Sequence, residues 1–350
     1  MGSTPTTGRV PACDRSAREV LAWSRDLVDP ALRDAVATLP ASMRRVVGYH
    51  FGWCDEHGRP GRAPAGKALR PALALLSAQA AGGMAEDAVP AAVAVELVHN
   101  FSLLHDDVMD RDTTRRHRPT AWTVFGSGPA ILAGDALLTL ALDVLAATAH
   151  PEARRCVRTL SAAVQSLVGG QSADVSFEQR TDVDLAECLA MAEQKTAALL
   201  GCCCELGAVL GGGDADRVRR MRGFGEQVGL AFQHVDDLLG IWGRPEVTGK
   251  PAHSDLANRK KSLPVVAALT SATRAGRDLA ELYRRDGELS GDDLAHAAEL
   301  VETAGGRAWS RGQADLLLTE ALGLLYGADP PEAPATELAA LARLATRRDH

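Results

Sequence analysis

The chain is poor in aromatic residues, in lysine, in paired cysteines and in long uncharged apolar runs. Phe, Trp and Tyr make up 4% of its 350 residues. Hydrophobic residues reach 46%, mostly Ala and Leu, which favours helix over strand. The seven cysteines are an odd number without paired spacing, so they define neither a disulfide framework nor a zinc signature, and a reducing cytoplasm is expected. Cys202-Cys203-Cys204 reads as small core residues on a helix. The formal charge of -7 carries no basic block, which argues against a nucleic-acid partner. The N-terminus lacks the basic start and apolar core of a secretory signal. No uncharged apolar run is long enough to read as a membrane span. The best candidate, 131–149, is broken by Asp135 and Asp143 and reads as a buried amphipathic helix. Of 38 cationic residues only five are lysines: Lys67, Lys195, Lys250, Lys260 and Lys261. An ammonium is a compact point charge and a guanidinium a planar fork, so the two do not exchange freely around phosphate and metal.

What is present is helix after helix. The apolar periodicity predicts helices near 15–38, 41–53, 67–82, 84–111, 128–149, 151–177, 183–210, 214–241, 260–271, 274–284, 290–304, 306–325 and 335–347. Gly and Pro clusters separate them, and no alternating strand pattern is convincing. Residues 1–14 read as a disordered tail and 15–350 as one all-α helical bundle, with its active-site cavity in the bundle centre. The polar stretch 243–259 is a candidate lid.

Two aspartate clusters carry the chemistry. Asp106-Asp107-Val-Met-Asp110 is followed by Arg115-Arg116, and Asp236-Asp237 is followed by a Gly- and Lys-containing loop. Carboxylates four apart on a helix share one face, so Asp106 and Asp110 can hold one metal site. Two such faces across a pocket suit Mg²⁺, which prefers hard oxygen ligands and usually binds with substrate phosphates. A diphosphate is the natural guest.

Six segments in order, GKALRP (66–71), VELVHNFSLLHDDVMD (95–110), RRHRPT (115–120), GGQSAD (169–174), QKTA (194–197) and AFQHVDD through DLANRKKSLP (231–264), resemble the all-trans isoprenyl diphosphate synthases. That resemblance implies the isoprenoid synthase fold and a homodimer. It also implies joining of isopentenyl diphosphate to an allylic diphosphate. By it, Asp106 and Asp110 hold two Mg²⁺ and Asp236 a third, with Asp107, Asp237 and Gln233 in support. Lys195 and Lys250 grip the allylic diphosphate, with Thr196 and Lys260 in the same substrate-binding set. Lys67, Arg70, His99 and Arg116 bind isopentenyl diphosphate without metal, and Arg115 touches the allylic group. Gln171 and Asp174 also match family positions, where they could equally be caps or internal hydrogen-bonding groups.

The chain departs from the family pattern in places. Gly240 stands where many members have a third Asp in the second cluster, His117 replaces a common Gly, and Ala68 replaces a basic residue. Product length is expected to follow the helix that carries Asp106. Ser102, one turn before it, is small, and Phe101 beside it would close the tunnel, which resembles the geranylgeranyl makers. The alternatives are a class I terpene cyclase on the same fold and a non-catalytic partner subunit. The first would need an Asn/Ser/Glu metal triad that 225–245 lacks. The second would have lost metal carboxylates, and only Gly240 points that way.

Overall fold

A computed structural model describes residues 15–61, 66, 68–245 and 252–346. The predicted tail at 1–14, Lys67 and Lys250 lie outside the described residues. The helices are α1 (Ala17–Ala37), α2 (Ala41–His50), α3 (Leu69–Ala80), α4 (Val89–Met109), α5 (Ala121–Phe125), α6 (Ser127–Ala146), α7 (Ala153–Phe177), α8 (Leu185–Ala192) and α9 (Ala198–Leu210). They continue as α10 (Ala215–Trp242), α11 (Ser254–Ala257), α12 (Leu263–Leu269), α13 (Arg274–Tyr283), α14 (Gly291–Thr303), α15 (Gly306–Gly327) and α16 (Glu332–Thr346).

Local signals set several starts. Ser16 and Glu19 form a reciprocal capping box at α1, as do Asp184 with Glu187 at α8 and Ser290 with Asp293 at α14. Asp214 accepts from the backbone N–H groups of Asp216 and Arg217 to open α10. The core lies where α3, α4, α9 and α10 meet, and Leu73, Leu76, Leu97, Leu104, Leu200, Leu206 and Phe224 are fully buried there. Burying each such side chain contributes about 1.5–3 kcal/mol. Cys202, Cys203 and Cys204 are buried in this core as free thiols.

Four features differ from the sequence expectation. A two-residue antiparallel hairpin, β1 (Thr114–Arg115) and β2 (Arg118–Pro119), follows α4. Its strands are too short for an alternating pattern to register. The short helices α5 and α11 were not expected; α11 lies within the predicted lid and packs against α10, and residues 246–251 of that lid lie outside the described residues. Between α8 and α9 the backbone loosens into a π-helical turn, Glu193–Ala197.

The 131–149 segment ends as α6 at Ala146 and is less buried than expected. In its most apolar window only 39% is buried, and Ile131 and Leu132 are exposed. By length and composition alone, Ser127–Ala146 and Ala85–Met109 are each apolar enough to cross a membrane, but the second is 67% buried in the bundle.

Candidate active site

Both electrostatic poles of the site are arranged along α4. At its C-terminal end stand Asp106 and Asp110, and the Asp110 N–H donates to the Asp106 carbonyl at 2.8 Å. Burial pushes the Asp106 carboxyl up to about 6; nearby Lys195 opposes this and Asp110 adds to it. Burial also raises Asp110, against Lys195 and Lys260. Asp107 faces away and accepts a 2.7 Å hydrogen bond from Arg115 Nε, so it anchors the hairpin. Its carboxyl is also raised to about 6, chiefly by burial.

The π-helical turn presents Lys195 and Thr196. Such turns carry a widened hydrogen-bond register and occur often at functional sites. This one sits directly on α7 at Gly170, where an added Cβ would lie 2.8 Å from Lys195 Cα. Lys195 Nζ donates to Asp174 Oδ2 at 2.5 Å. Burial would raise Asp174, but Lys195 and Lys260 hold its carboxyl below the usual range. Asp174, for which the sequence left cap and ligand-facing roles equally open, is therefore the partner of Lys195. Beside it, Gln171 is buried with both amide atoms lacking a protein partner.

From α10 comes the second cluster. Thr196 Oγ1 donates to Gln233 Oε1 at 2.6 Å, and Gln233 Nε2 donates to Asp237 Oδ1 at 2.7 Å. The other Asp237 oxygen accepts from the Leu263 N–H at 2.8 Å and so caps α12 from a neighbouring helix. Both Asp237 oxygens are thus engaged in positioning. Burial lifts its carboxyl to about 7 despite Lys260. Asp236, next to it in the chain, is the exposed member of the pair. Lys260 closes the ring. Burial would lower its pKa, yet Asp255, Asp174, Asp237 and Asp236 hold it above the ordinary lysine value.

These contacts and charge couplings bring together Asp106, Asp110, Lys195, Thr196, Gln233, Asp236 and Lys260. Among the described residues no three His, Cys, Asp or Glu side chains converge closely enough to hold a metal unaided. Carboxylates nonetheless outnumber ammonium groups, and burial holds Asp106 and Asp110 above their usual values. A divalent cation that brings water and phosphate oxygens with it fits this donor set, and hard Mg²⁺ suits it.

The second pole lies further back along α4. His99 is pushed well below the usual histidine value by burial and by Arg70, Arg116 and Arg115 around it, so it is neutral at pH 7. Burial also lowers Arg70 and Arg116, and the nearby carboxylate of Glu96 opposes this in both. The Arg116 side chain lies against Gly66, where a Cβ would sit 2.7 Å from its terminal nitrogen, beside position 67. The structure thus gathers Arg70, His99, Arg115 and Arg116 into a cationic pocket.

Glu96, His50 and Asn100 were missed by the sequence reading. Asn100 links the other two: its amide nitrogen donates to Glu96 Oε1 at 3.0 Å, and its oxygen lies 3.2 Å from His50 Nε2. Glu96 lies within the VELVHN segment, but nothing in the one-dimensional pattern ties it to arginines 26 residues before and 20 after it.

The hairpin that aims the arginines has strained turn residues. Arg116 and His117 have φ of 51° and 61°, as a two-residue type I′ turn requires. This explains why a glycine suits position 117. Arg118 donates to the carbonyls of Tyr49 and Cys54 at 3.2 and 3.3 Å, and Tyr49 Oη donates to the Pro119 carbonyl at 2.9 Å. Those bonds clamp the hairpin to α2.

The two chain-length candidates are buried on α4. Phe101 packs edge-on to His105 with ring centroids 4.8 Å apart, and the His105 ring rests on Gly134 of α6. Ser102 Oγ donates to the His99 carbonyl at 2.8 Å. A hollow of about 690 Å³ lined by Arg154, Arg155, Arg158 and Arg222 lies elsewhere, and none of the predicted site residues lines it.

An all-helical bundle arranged around a central helix in this way has the isoprenoid synthase fold. Comparison with known proteins is more specific. The polyprenyl synthetase family profile matches residues 53–301. The (2E,6E)-farnesyl diphosphate synthase of Mycobacterium tuberculosis is 49% identical over 95% of this chain and 94% of its own length. The geranylgeranyl diphosphate synthase of the same organism is 43% identical over 98% of this chain and 96% of its own. A crystal structure of a polyprenyl synthetase from Streptomyces coelicolor superposes with a TM-score of 0.90 at 48% identity, covering 94% of this chain and 99% of that one. The chain belongs to the polyprenyl synthetase family. It is a prenyltransferase that elongates prenyl chains.

Proposed function

We propose that the chain condenses isopentenyl diphosphate head-to-tail (1'-4) with dimethylallyl, geranyl or farnesyl diphosphate, giving all-trans geranylgeranyl diphosphate. What supports this reading is the separation of two charged clusters along α4, each suited to a diphosphate. One is the ring of Asp106, Asp110, Asp236, Lys195 and Lys260; the other is the pocket of Arg70, His99 and Arg116. A cyclase, which takes one diphosphate, has no use for the second.

In this proposal the ring takes the allylic diphosphate together with Mg²⁺, three ions being the expected number. Bound Mg²⁺ would supply charge neutralisation of the leaving diphosphate. Asp106 and Asp110 hold one side and Asp236 the other; Lys195, backed by Asp174, and Lys250 grip the diphosphate oxygens. Thr196 and Gln233 set the orientation of the α10 face. Lys67, Arg70, His99 and Arg116 hold isopentenyl diphosphate, and Arg115 touches the allylic group. The allylic carbon–oxygen bond ionises, the isopentenyl double bond attacks the cation, and the proton released passes to the departing diphosphate. Holding the two diphosphates apart decides which molecule ionises and which attacks.

The product grows along α4 past Ser102 toward Phe101, which walls the path beside α6. The 49% identical relative named for the fifteen-carbon product favours a second reading, in which growth stops one unit earlier. In this proposal the enzyme works in the cytoplasm as a homodimer. The exposed apolar residues Ile131 and Leu132 on α6, with Met109 at the end of α4, supply a face for the second copy.

Incubation with Mg²⁺, labelled isopentenyl diphosphate and each primer, with extraction before and after phosphatase, tests the reading. A linear twenty-carbon alcohol released only by phosphatase is the expected result. A fifteen-carbon alcohol replaces the Phe101 assignment and keeps the reaction. A hydrocarbon formed from an allylic substrate alone refutes the condensation in favour of a cyclase, and no turnover with any primer favours a non-catalytic subunit.

A further inference from the structure

The turn that opens α3 belongs to the GKALRP segment, and it lacks support of its own. Ala68, the residue before α3, is in the left-handed region at φ 54° and ψ 35°, and no side chain caps the helix there. Glycine takes that conformation freely, whereas a Cβ is strained in it. Ala68 joins position 67 to Arg70 in the first turn of α3, so its conformation governs how the chain runs between them.

Support comes from α1, which packs mainly on α3 and α4. Arg25 Nη2 donates to the Gly66 carbonyl at 3.3 Å, two residues before Ala68. Gly66 in turn lies against the Arg116 side chain. Arg25 and Arg116 line a small cavity of about 40 Å³ together with Ser24, Asp29, Ala68 and Glu96. Arg25 Nε is buried without a protein partner, and so is Arg70 Nε. A buried donor left unpaired is costly, and an anion drawn to this pocket would lower that cost. Arg25 also brings a guanidinium to the turn in which Ala68 replaces a basic residue.

Building on the proposed metal-free isopentenyl diphosphate pocket, we infer that Arg25 is a positioning residue for that substrate: from α1 it braces the strained turn at 66–68 and keeps the GKALRP segment against Arg116. Its action is confined to one of the two diphosphates. Lys195 and Asp236 of the carboxylate–ammonium ring come from the π-helical turn and α10, away from the turn that Arg25 holds.

The test pairs initial-rate kinetics with calorimetric binding of isopentenyl diphosphate in EDTA, which reads the metal-free pocket without turnover. Arg25→Ala is expected to raise both the KM and the Kd for isopentenyl diphosphate about tenfold, the order of one charge-assisted hydrogen bond. The allylic KM and kcat are expected to stay near wild type. Arg25→Lys, whose ammonium can donate to the same carbonyl, is expected to recover most of the loss. Ala68→Gly is expected to recover part of it in the Arg25→Ala background, because glycine needs no brace at that φ. A lower unfolding midpoint with unchanged isopentenyl KM and Kd makes Arg25 structural only and overturns the inference. So does a loss shared equally by the allylic substrate, or a double variant no better than Arg25→Ala. Should Arg25→Ala fail to fold, Arg25→Gln decides, and an isopentenyl Kd equal to wild type overturns the inference. A wild type that binds no isopentenyl diphosphate in EDTA overturns the proposed second pocket and this inference with it. A wild type that binds it beside an Arg25→Ala that binds it equally well overturns this inference alone.

Discussion

Gly170→Ala is the most demanding single change for the proposed mechanism, because it adds one methyl group and alters no charge. The new Cβ would lie 2.8 and 2.9 Å from Lys195 Cα and Cβ, and closer still to the Lys195 nitrogen. Carbon atoms rest at about 3.5–4.0 Å, so the π-helical turn must retreat from α7 by roughly 1 Å. The obstacle is backbone, which cannot rotate aside as a side-chain tip can. The retreat lengthens the 2.5 Å Lys195–Asp174 bond and withdraws the ammonium from Asp106 and Asp110.

A misplacement of about 1 Å in a positioned catalytic group costs about 10²-fold in rate. Overpacking of this kind costs about 1–3 kcal/mol of stability. Initial-rate kinetics at saturating Mg²⁺ separate the effects. The expected result is a kcat lower by about two orders of magnitude. The KM for isopentenyl diphosphate is expected to stay near wild type, because Arg70, His99 and Arg116 sit on α3, α4 and the hairpin. The reasoning is refuted by an unchanged kcat in a folded variant, or by a loss confined to the isopentenyl KM.

Ser102→Phe, which puts a ring one turn before Asp106, is expected to shorten the product, and Phe101→Ala to lengthen it; chain-length chromatography of dephosphorylated products checks both. In EDTA, the unfolding midpoint of Asp237→Asn is expected to rise relative to wild type as pH goes from 5 to 7.5. Burial lifts the Asp237 carboxyl to about 7, so the stability its protonated form contributes is present at low pH and lost as pH passes that value, while the opposite contribution of the buried neutral histidines is common to both chains. A pH-independent difference in circular dichroism melts contradicts that shift. Leu132→Glu, at a position 57% exposed on α6, is expected to convert the proposed dimer to monomer in light scattering while leaving the helical signal intact; an unchanged dimer moves the interface elsewhere.

The helices and the aspartate motifs were legible because both are local. Apolar periodicity gives α1, α7, α10 and α15 to within about two residues, and Asp106 with Asp110 needs only a four-residue spacing. The features that escaped the sequence depend on atoms far apart in the chain. The π-helical turn is a register change inside a continuous helical pattern, and nothing in QKTA distinguishes it from α-helix. The hairpin has two residues per strand, and its turn is built on Arg and His where a glycine would have signalled it. Glu96 becomes meaningful only when Arg70 and Arg116 fold against it. That the space beside Gly240 is taken by the Asp255 carboxyl group depends likewise on an adjoining segment, which a sequence read one helix at a time does not show.

In the proposed mechanism the hairpin is a ruler between the two substrates. Arg115 grips Asp107 behind Asp106 and Asp110, while Arg116, the next residue, reaches the Glu96 pocket. One peptide bond would then join the hold proposed for one diphosphate to the hold proposed for the other. The clamp of Arg118 and Tyr49 onto α2 fixes the ruler at its far end. In that mechanism, a shared backbone would keep the gap between the carbon that ionises and the carbon that attacks at one length. A growing tail changes from one round of addition to the next, but the spacing at the reacting end is the same for every primer the tunnel admits.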